Sequence, residues 1–169
     1  MRELHCPICG APFVRVTYQE GAVERLLSRV NVFPFRCQLC TNRFRAFSSG
    51  ARHNTQAFDR RQYTRLTASI EAQILDFSQP DLTNRITDIS MDGCTLQTTG
   101  LSKGAFVGLL LKPTMEEEMI RIETAMVCSV RPSSMGFRFL EVLPEYHRRL
   151  SQVVLGLLVS QSPHLISQV

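Results

Sequence analysis

Two C-x-x-C units, Cys6-Pro7-Ile8-Cys9 and Cys37-Gln38-Leu39-Cys40, stand 27 residues apart near the start of a 169-residue chain. A turn of this kind aims two sulfurs at one point, so two such turns can close a tetrahedral four-thiolate site around Zn²⁺. The flanks fit this arrangement, with Gly10 after the first pair and Phe35, Phe44 and Phe47 available for a miniature core. So short a segment buries too little surface to fold by itself, and bound metal would supply much of its folding free energy. A redox dithiol normally sits where a strand enters the helix of a βαβ unit, and no such unit is visible around either pair. Disulfides are rare in the cytoplasm, the compartment expected for a chain that starts Met1-Arg2-Glu3-Leu4 with no apolar leader. His5 is read as a neighbour of the four thiolates rather than a ligand. Cys94 and Cys128, on apolar strand faces, are expected to be small core residues.

The two knuckles resemble a zinc ribbon, a short β-module built on two cysteine turns. The spacer is longer than the commonest ribbon pattern, so residues 16–34 are expected to form an extended hairpin or a short helix. Residues 1–57 carry eight arginines against Glu3, Glu20 and Glu24, while the rest of the chain is close to neutral. That asymmetry marks the N-terminal part as a possible surface for anions, nucleic acid or acidic proteins, or simply as a module kept soluble by charge. The domain reading is a zinc-ribbon-like module over 1–47, a linker over 48–57 without large apolar residues, a β-domain with a closing helix over 58–160 and a tail over 161–169.

Period-two patterning dominates the second part. Ala68, Ile70, Ala72 and Ile74 alternate with polar residues, as do Cys94, Leu96 and Thr98. The longest run puts Ile120, Ile122, Thr124, Met126, Cys128 and Val130 on one side. Residues 106–111 are apolar on both faces and read as a strand covered on each side; Phe137 and Phe139 belong to a last strand over 135–142. Short strands separated by turn signals, with no helical pattern between them, argue for a barrel or a sandwich. After Pro144, the spacing of Tyr146, Leu150, Val153, Val154, Leu157 and Leu158 predicts a helix over 144–159 whose apolar face can cap a barrel. The apolar stretch 153–159 exceeds what one helix face needs, which points to self-association. No apolar run approaches the roughly 18 residues required to span a bilayer.

Two further motifs occur in order. Arg61-Gln62-Tyr63-Thr64-Arg65 is R-x-x-x-R, just ahead of the first strand, and Asp88-Ile89-Ser90-Met91-Asp92-Gly93 is D-x-S-x-x-G, read as a turn between two strands. With Phe58-Asp59-Arg60-Arg61, the Gly136-Phe137-Arg138-Phe139 strand and the closing helix, this pair resembles the PilZ domain family, receptors of the bacterial second messenger cyclic di-GMP (c-di-GMP), over residues 58–159. The resemblance implies a six-stranded antiparallel barrel and a ligand site formed by Arg60, Arg61, Arg65, Asp88, Ser90 and Gly93. The residue types suit such a ligand. A guanidinium grips phosphate oxygens bidentately and stacks on purines, a carboxylate accepts hydrogen bonds from a guanine edge, and a hydroxyl can donate or accept beside it. Gly93 is expected to permit a tight turn and close approach of the backbone to the base. Asp88 and Ser90 could instead be turn-stabilising residues, with Gly93 ending a hairpin.

No Walker, Rossmann, H-E-x-x-H or G-x-S-x-G pattern occurs, and the four histidines are scattered. The chain is therefore expected not to be an enzyme. The leading expectation is a cytoplasmic adaptor that binds c-di-GMP and Zn²⁺ and passes its state to an effector protein. One rival is a nucleic-acid-binding regulator using Phe13, Tyr18, Phe33, Phe35 and Phe44 among the arginines of the ribbon; another is a ligand-blind structural module.

Overall fold

In the computed structural model, which describes residues 4–48, 62–75, 84–113 and 118–161, the chain divides into two units, Met1–Thr64 and Arg65–Val169. The division falls inside the R-x-x-x-R motif.

The first unit is a three-stranded antiparallel sheet in the order β1 (Val14–Val16), β2 (Val32–Cys37), β3 (Arg43–Phe47), with one helix, α1 (Gly21–Ser28), between β1 and β2. The long spacer thus contains the short helix. Val16, Phe33 and Phe35 form the core, packed by Leu4, Val14, Phe44 and Ala46, and the Phe35 and Phe44 rings stack 5.9 Å apart. Phe47 does not join them; it lies at the end of β3 and is exposed.

Helix α1 is oriented by charge rather than by an apolar face. Glu24 is buried, while Val23 and Leu26 are exposed. Its carboxylate accepts from Arg43 Nη2 at 2.7 Å, from Arg45 Nη2 at 3.3 Å and from the backbone N–H of Glu20 at 2.6 Å. Burial by itself would push the Glu24 carboxyl up, but the Glu20 N–H and the Arg43 guanidinium together hold it below the ordinary value of 4.5. A carboxyl depressed in the folded state contributes stability that is present above pH 4.5 and lost as the pH falls through the folded value. Glu24→Gln should therefore destabilise this unit at neutral pH by about 2 kcal/mol and flatten its acid-induced loss of stability. Thermal unfolding followed from pH 7 to 3 checks this, and an unchanged pH slope in the variant would place the acid sensitivity elsewhere.

The second unit is a closed barrel. Its strands are β4 (Leu66–Leu75), β5 (Asn84–Ser90), β6 (Gly93–Gln97), β7 (Phe106–Lys112), β8 (Ile120–Val130) and β9 (Met135–Glu141), all antiparallel to their neighbours in the circular order β4-β5-β6-β9-β8-β7. Ile86, Leu96, Leu109, Leu111, Ile122 and Val127 fill its interior with essentially no exposure. Closure leaves little open edge to invite strand addition. Helix α2 (Pro144–Gln161) packs on β4 and β8 through Leu150, Val154 and Leu158, one turn apart along a single face. Leu155 and Val159 remain exposed on it. No helix among the described residues is long and apolar enough to cross a membrane.

Two strands depart from simple alternation. In β8, Ile120 and Ile122 point inward, then the three-residue step from Ile122 to Ala125 is matched by only two positions on β7, Leu109 to Val107, so that Ala125 and Val127 take the inner face. The extra residue reverses the parity of the residues that follow directly. Cys128 is therefore exposed rather than a core residue, whereas Cys94 is buried as expected. In β7, Leu109 and Leu111 are buried but Phe106 is exposed, so this strand is covered on one face at its start.

Candidate functional site

The two cysteine turns have matching backbone geometry. The N–H of Cys6 donates to the carbonyl of Ala11, and that of Cys37 to the carbonyl of Asn42, each at 2.9 Å. The residue after each turn has a positive φ, 72° at Gly10 and 62° at Thr41, so the chain can fold back at that point. The result brings Cys6, Cys9, Cys37 and Cys40 together, with all four sulfurs within 4.8 Å of one another. The Cys6–Cys40 and Cys9–Cys37 pairs are 3.5 and 3.6 Å apart, and none is in a disulfide. Tetrahedral Zn²⁺ with sulfur at about 2.3 Å requires sulfurs about 3.8 Å apart. Burial opposes ionisation of Cys6, Cys37 and Cys40 and raises the last two, but the backbone N–H groups of Cys9 and Ile8 bring Cys6 down to about 7. Four thiolates this close are tolerable only around a cation. Donor type, number and spacing all fit a structural zinc ion, with His5 outside the cluster.

Four of the six residues read as a ligand site are described; Arg60 and Arg61 lie outside the described residues. Arg65 immediately precedes β4. Its Nη1 donates to Asp88 Oδ1 at 3.0 Å and to Thr95 Oγ1 at 2.9 Å. Strand register explains the meeting, because Asp88 pairs with Thr67 on one side and with Thr95 on the other. A shift in pairing between Ile86 and Asp88 turns Asp88 outward while Ile86 and Ile89 both stay in the core. The Arg65 side chain is 44% exposed and that of Asp88 28%, so this ion pair adds little to stability. Its value is orientation. Among the described residues nothing engages Arg65 Nε or Nη2, which leaves donors for an incoming anion.

Ser90 and Gly93 serve the fold here. Asp88 and Ser90 lie in β5 and Gly93 opens β6, so the connecting turn is only Met91-Asp92. The buried Ser90 hydroxyl accepts from the Asp92 N–H and donates to the Gly93 carbonyl, at 3.4 and 3.3 Å. Gly93 is opposite Arg138 of β9, and a Cβ there would overlap the carbonyl oxygen of Phe137. Close packing of β6 on β9, rather than a left-handed turn, demands the glycine.

Thr95 was not singled out in the sequence. It shows only as a polar position alternating with Cys94 and Leu96, and nothing in that pattern names Arg65 as its partner. A groove of about 510 Å³ also opens between α2 and the barrel, lined by Ile70, Ile120, Val153 and Leu157. It contains none of the motif residues, and its polar rim is an Arg149–Glu118 ion pair.

A six-stranded closed barrel with a packed C-terminal helix and an arginine fixed at the mouth of its first strand defines a class of small β-domains. The chain belongs to the PilZ domain family, whose family model matches residues 59–156. Among solved structures, the c-di-GMP-bound PilZ domain of YcgR from Escherichia coli is 18% identical, covers 66% of this chain and 100% of its own, and superposes with a TM-score of 0.50. Escherichia coli YcgR in complex with c-di-GMP is 16% identical over 89% of this chain and 76% of its own, with a TM-score of 0.52. The Bacillus subtilis inhibitor of motility MotI/DgrA is 17% identical over 77% of this chain and 66% of its own, also at 0.52. At these identities the likeness concerns the fold. No curated protein matches the chain.

Proposed function

We propose that this chain is a c-di-GMP receptor without catalytic chemistry, in which a structural zinc module precedes the ligand-binding barrel. The observation that carries it is the fixed guanidinium of Arg65, held by Asp88 and Thr95, with two nitrogens that no described residue engages. Such a group grips a phosphate through paired N–H donors and offers a flat face to a purine. Asp88 can exchange part of its bond to Arg65 for a guanine N–H. Arg60 and Arg61, five and four residues back, add the remaining cations of the site. Ser90 and Gly93 contribute by holding the β5–β6 turn in shape rather than by touching the ligand first. PilZ membership and the c-di-GMP in the YcgR structures support the same ligand class. Output then passes to an effector protein in the cytoplasm, with the exposed residues Leu155 and Val159 of α2 as one available surface.

The nucleic-acid reading is less well supported. Phe13, Phe33 and Phe35 are buried in the first unit, so they cannot serve as a stacking platform for bases. The test is a calorimetric titration of the zinc-loaded full chain with c-di-GMP, GTP and cyclic AMP. Saturable binding of c-di-GMP well above the other two is expected, and equal or absent responses would reject the receptor reading.

A further inference from the structure

The middle of the R-x-x-x-R motif is gripped by the metal knuckle. Gln38, between Cys37 and Leu39, is 5% exposed. Its Oε1 accepts from the backbone N–H of Thr64 at 2.7 Å, and its Nε2 donates to the carbonyl of Gln62 at 3.2 Å. These are the two backbone groups that flank Tyr63, so a single side-chain amide reads the segment as a neighbouring strand would. Tyr63 is itself buried, with the Arg36 guanidinium 5.6 Å from its ring centroid and Arg36 Nη1 donating to its hydroxyl at 3.3 Å. Arg15 Nη1 donates to Thr64 Oγ1 at 3.1 Å. All of these residues belong to the first unit. The next peptide bond leads to Arg65.

Gln38 is placed by the fold of the knuckle. Its N–H donates to the carbonyl of Phe13, and the cysteines on either side belong to the four-sulfur cluster. From this arrangement we infer that metal occupancy sets the affinity for c-di-GMP, with Gln38 as the positioning residue. With the cluster closed, residues 62–64 are fixed and Arg65 starts from defined backbone. With the cluster open, Gln38 loses its place, and the same residues must be ordered by the ligand at its own cost. The inference rests on the c-di-GMP reading above and adds its regulation. Coupling of this kind is reciprocal, so the ligand must also stabilise the metal.

The experiment measures zinc release from the full chain to a chromogenic chelator, with and without saturating c-di-GMP, alongside calorimetric affinity. In the parent protein c-di-GMP should raise the chelator concentration needed for half-release on the order of tenfold. Gln38→Ala should still bind zinc, should bind c-di-GMP on the order of tenfold more weakly, and should lose the protection of zinc by ligand. Gln38→Glu, which keeps the acceptor for Thr64 but not the donor to Gln62, should fall between them. A variant that merely loosens the fold would release zinc more readily whether or not ligand is present. If c-di-GMP binds the parent protein and zinc release does not change, the coupling is refuted while the receptor stands. If c-di-GMP does not bind the zinc-loaded parent, both are refuted. The parent measurement decides the matter even if a variant fails to fold.

Discussion

Arg65→Ala should weaken c-di-GMP binding by about 2–5 kcal/mol, a factor of roughly thirty to several thousand, because it removes a charged and oriented donor from the site. The barrel should survive the change. Arg65 is exposed at the start of β4, and the ion pair it makes with Asp88 is open to solvent. The variant should thus unfold within about 1 kcal/mol of the parent while losing ligand. Arg65→Lys separates charge from shape. It keeps the cation but cannot donate in parallel to a phosphate while holding Asp88 and Thr95, so most of the affinity should still be lost. Calorimetry with c-di-GMP, paired with thermal unfolding of each variant, reads both effects. Parent-like affinity in both variants would move the site away from Arg65.

Removing one thiolate should have the second large effect, with the loss of folded structure confined to the other unit. Cys37→Ser leaves three sulfurs and a buried hydroxyl at a position that is fully enclosed. Structural zinc contributes on the order of 10 kcal/mol to the folding of small modules, while the core here is little more than Val16, Phe33 and Phe35 with their few partners. The variant should therefore purify without stoichiometric zinc, and its first unit should be unfolded while the barrel keeps its own transition. Metal analysis with hydrogen exchange over residues 4–48 tests both parts. An ordered first unit without bound metal would show that the cysteines are not the source of its stability.

Much of this was written plainly in the chain. The C-x-x-C spacing announces its cluster because a knuckle is local: four residues and the one that follows determine where two sulfurs point. The barrel strands are visible because a half-buried sheet repeats every two residues, and α2 because Leu150, Val154 and Leu158 repeat every turn. What could not be read was parity and partnership. One shifted pairing between β8 and β7 moves Cys128 from core to surface, and no feature of residues 120–130 marks where the shift falls. Gly93 was legible as necessary but not for its reason, which lies in the distant carbonyl of Phe137. Gln38 carried no signal at all. It looks like any polar residue within a cysteine turn, and its importance depends on a segment 24 residues later in the chain.

The start of β4 has one more property. Strand β7 pairs with β4 only from Glu71 onward, through Lys112, so the stretch before it has no strand on that side among the described residues. Gln161, the last residue of α2, fills part of this gap: its Nε2 donates to the Thr67 carbonyl at 2.6 Å, and its Oε1 accepts from the Thr67 N–H at 3.1 Å. A primary amide is thus used as a plug, satisfying a backbone that would otherwise be a template for a foreign strand. Replacing that single amide, as in Gln161→Ala, would uncover adhesive backbone two positions from Arg65, and the loss would be felt in solubility as well as in fold.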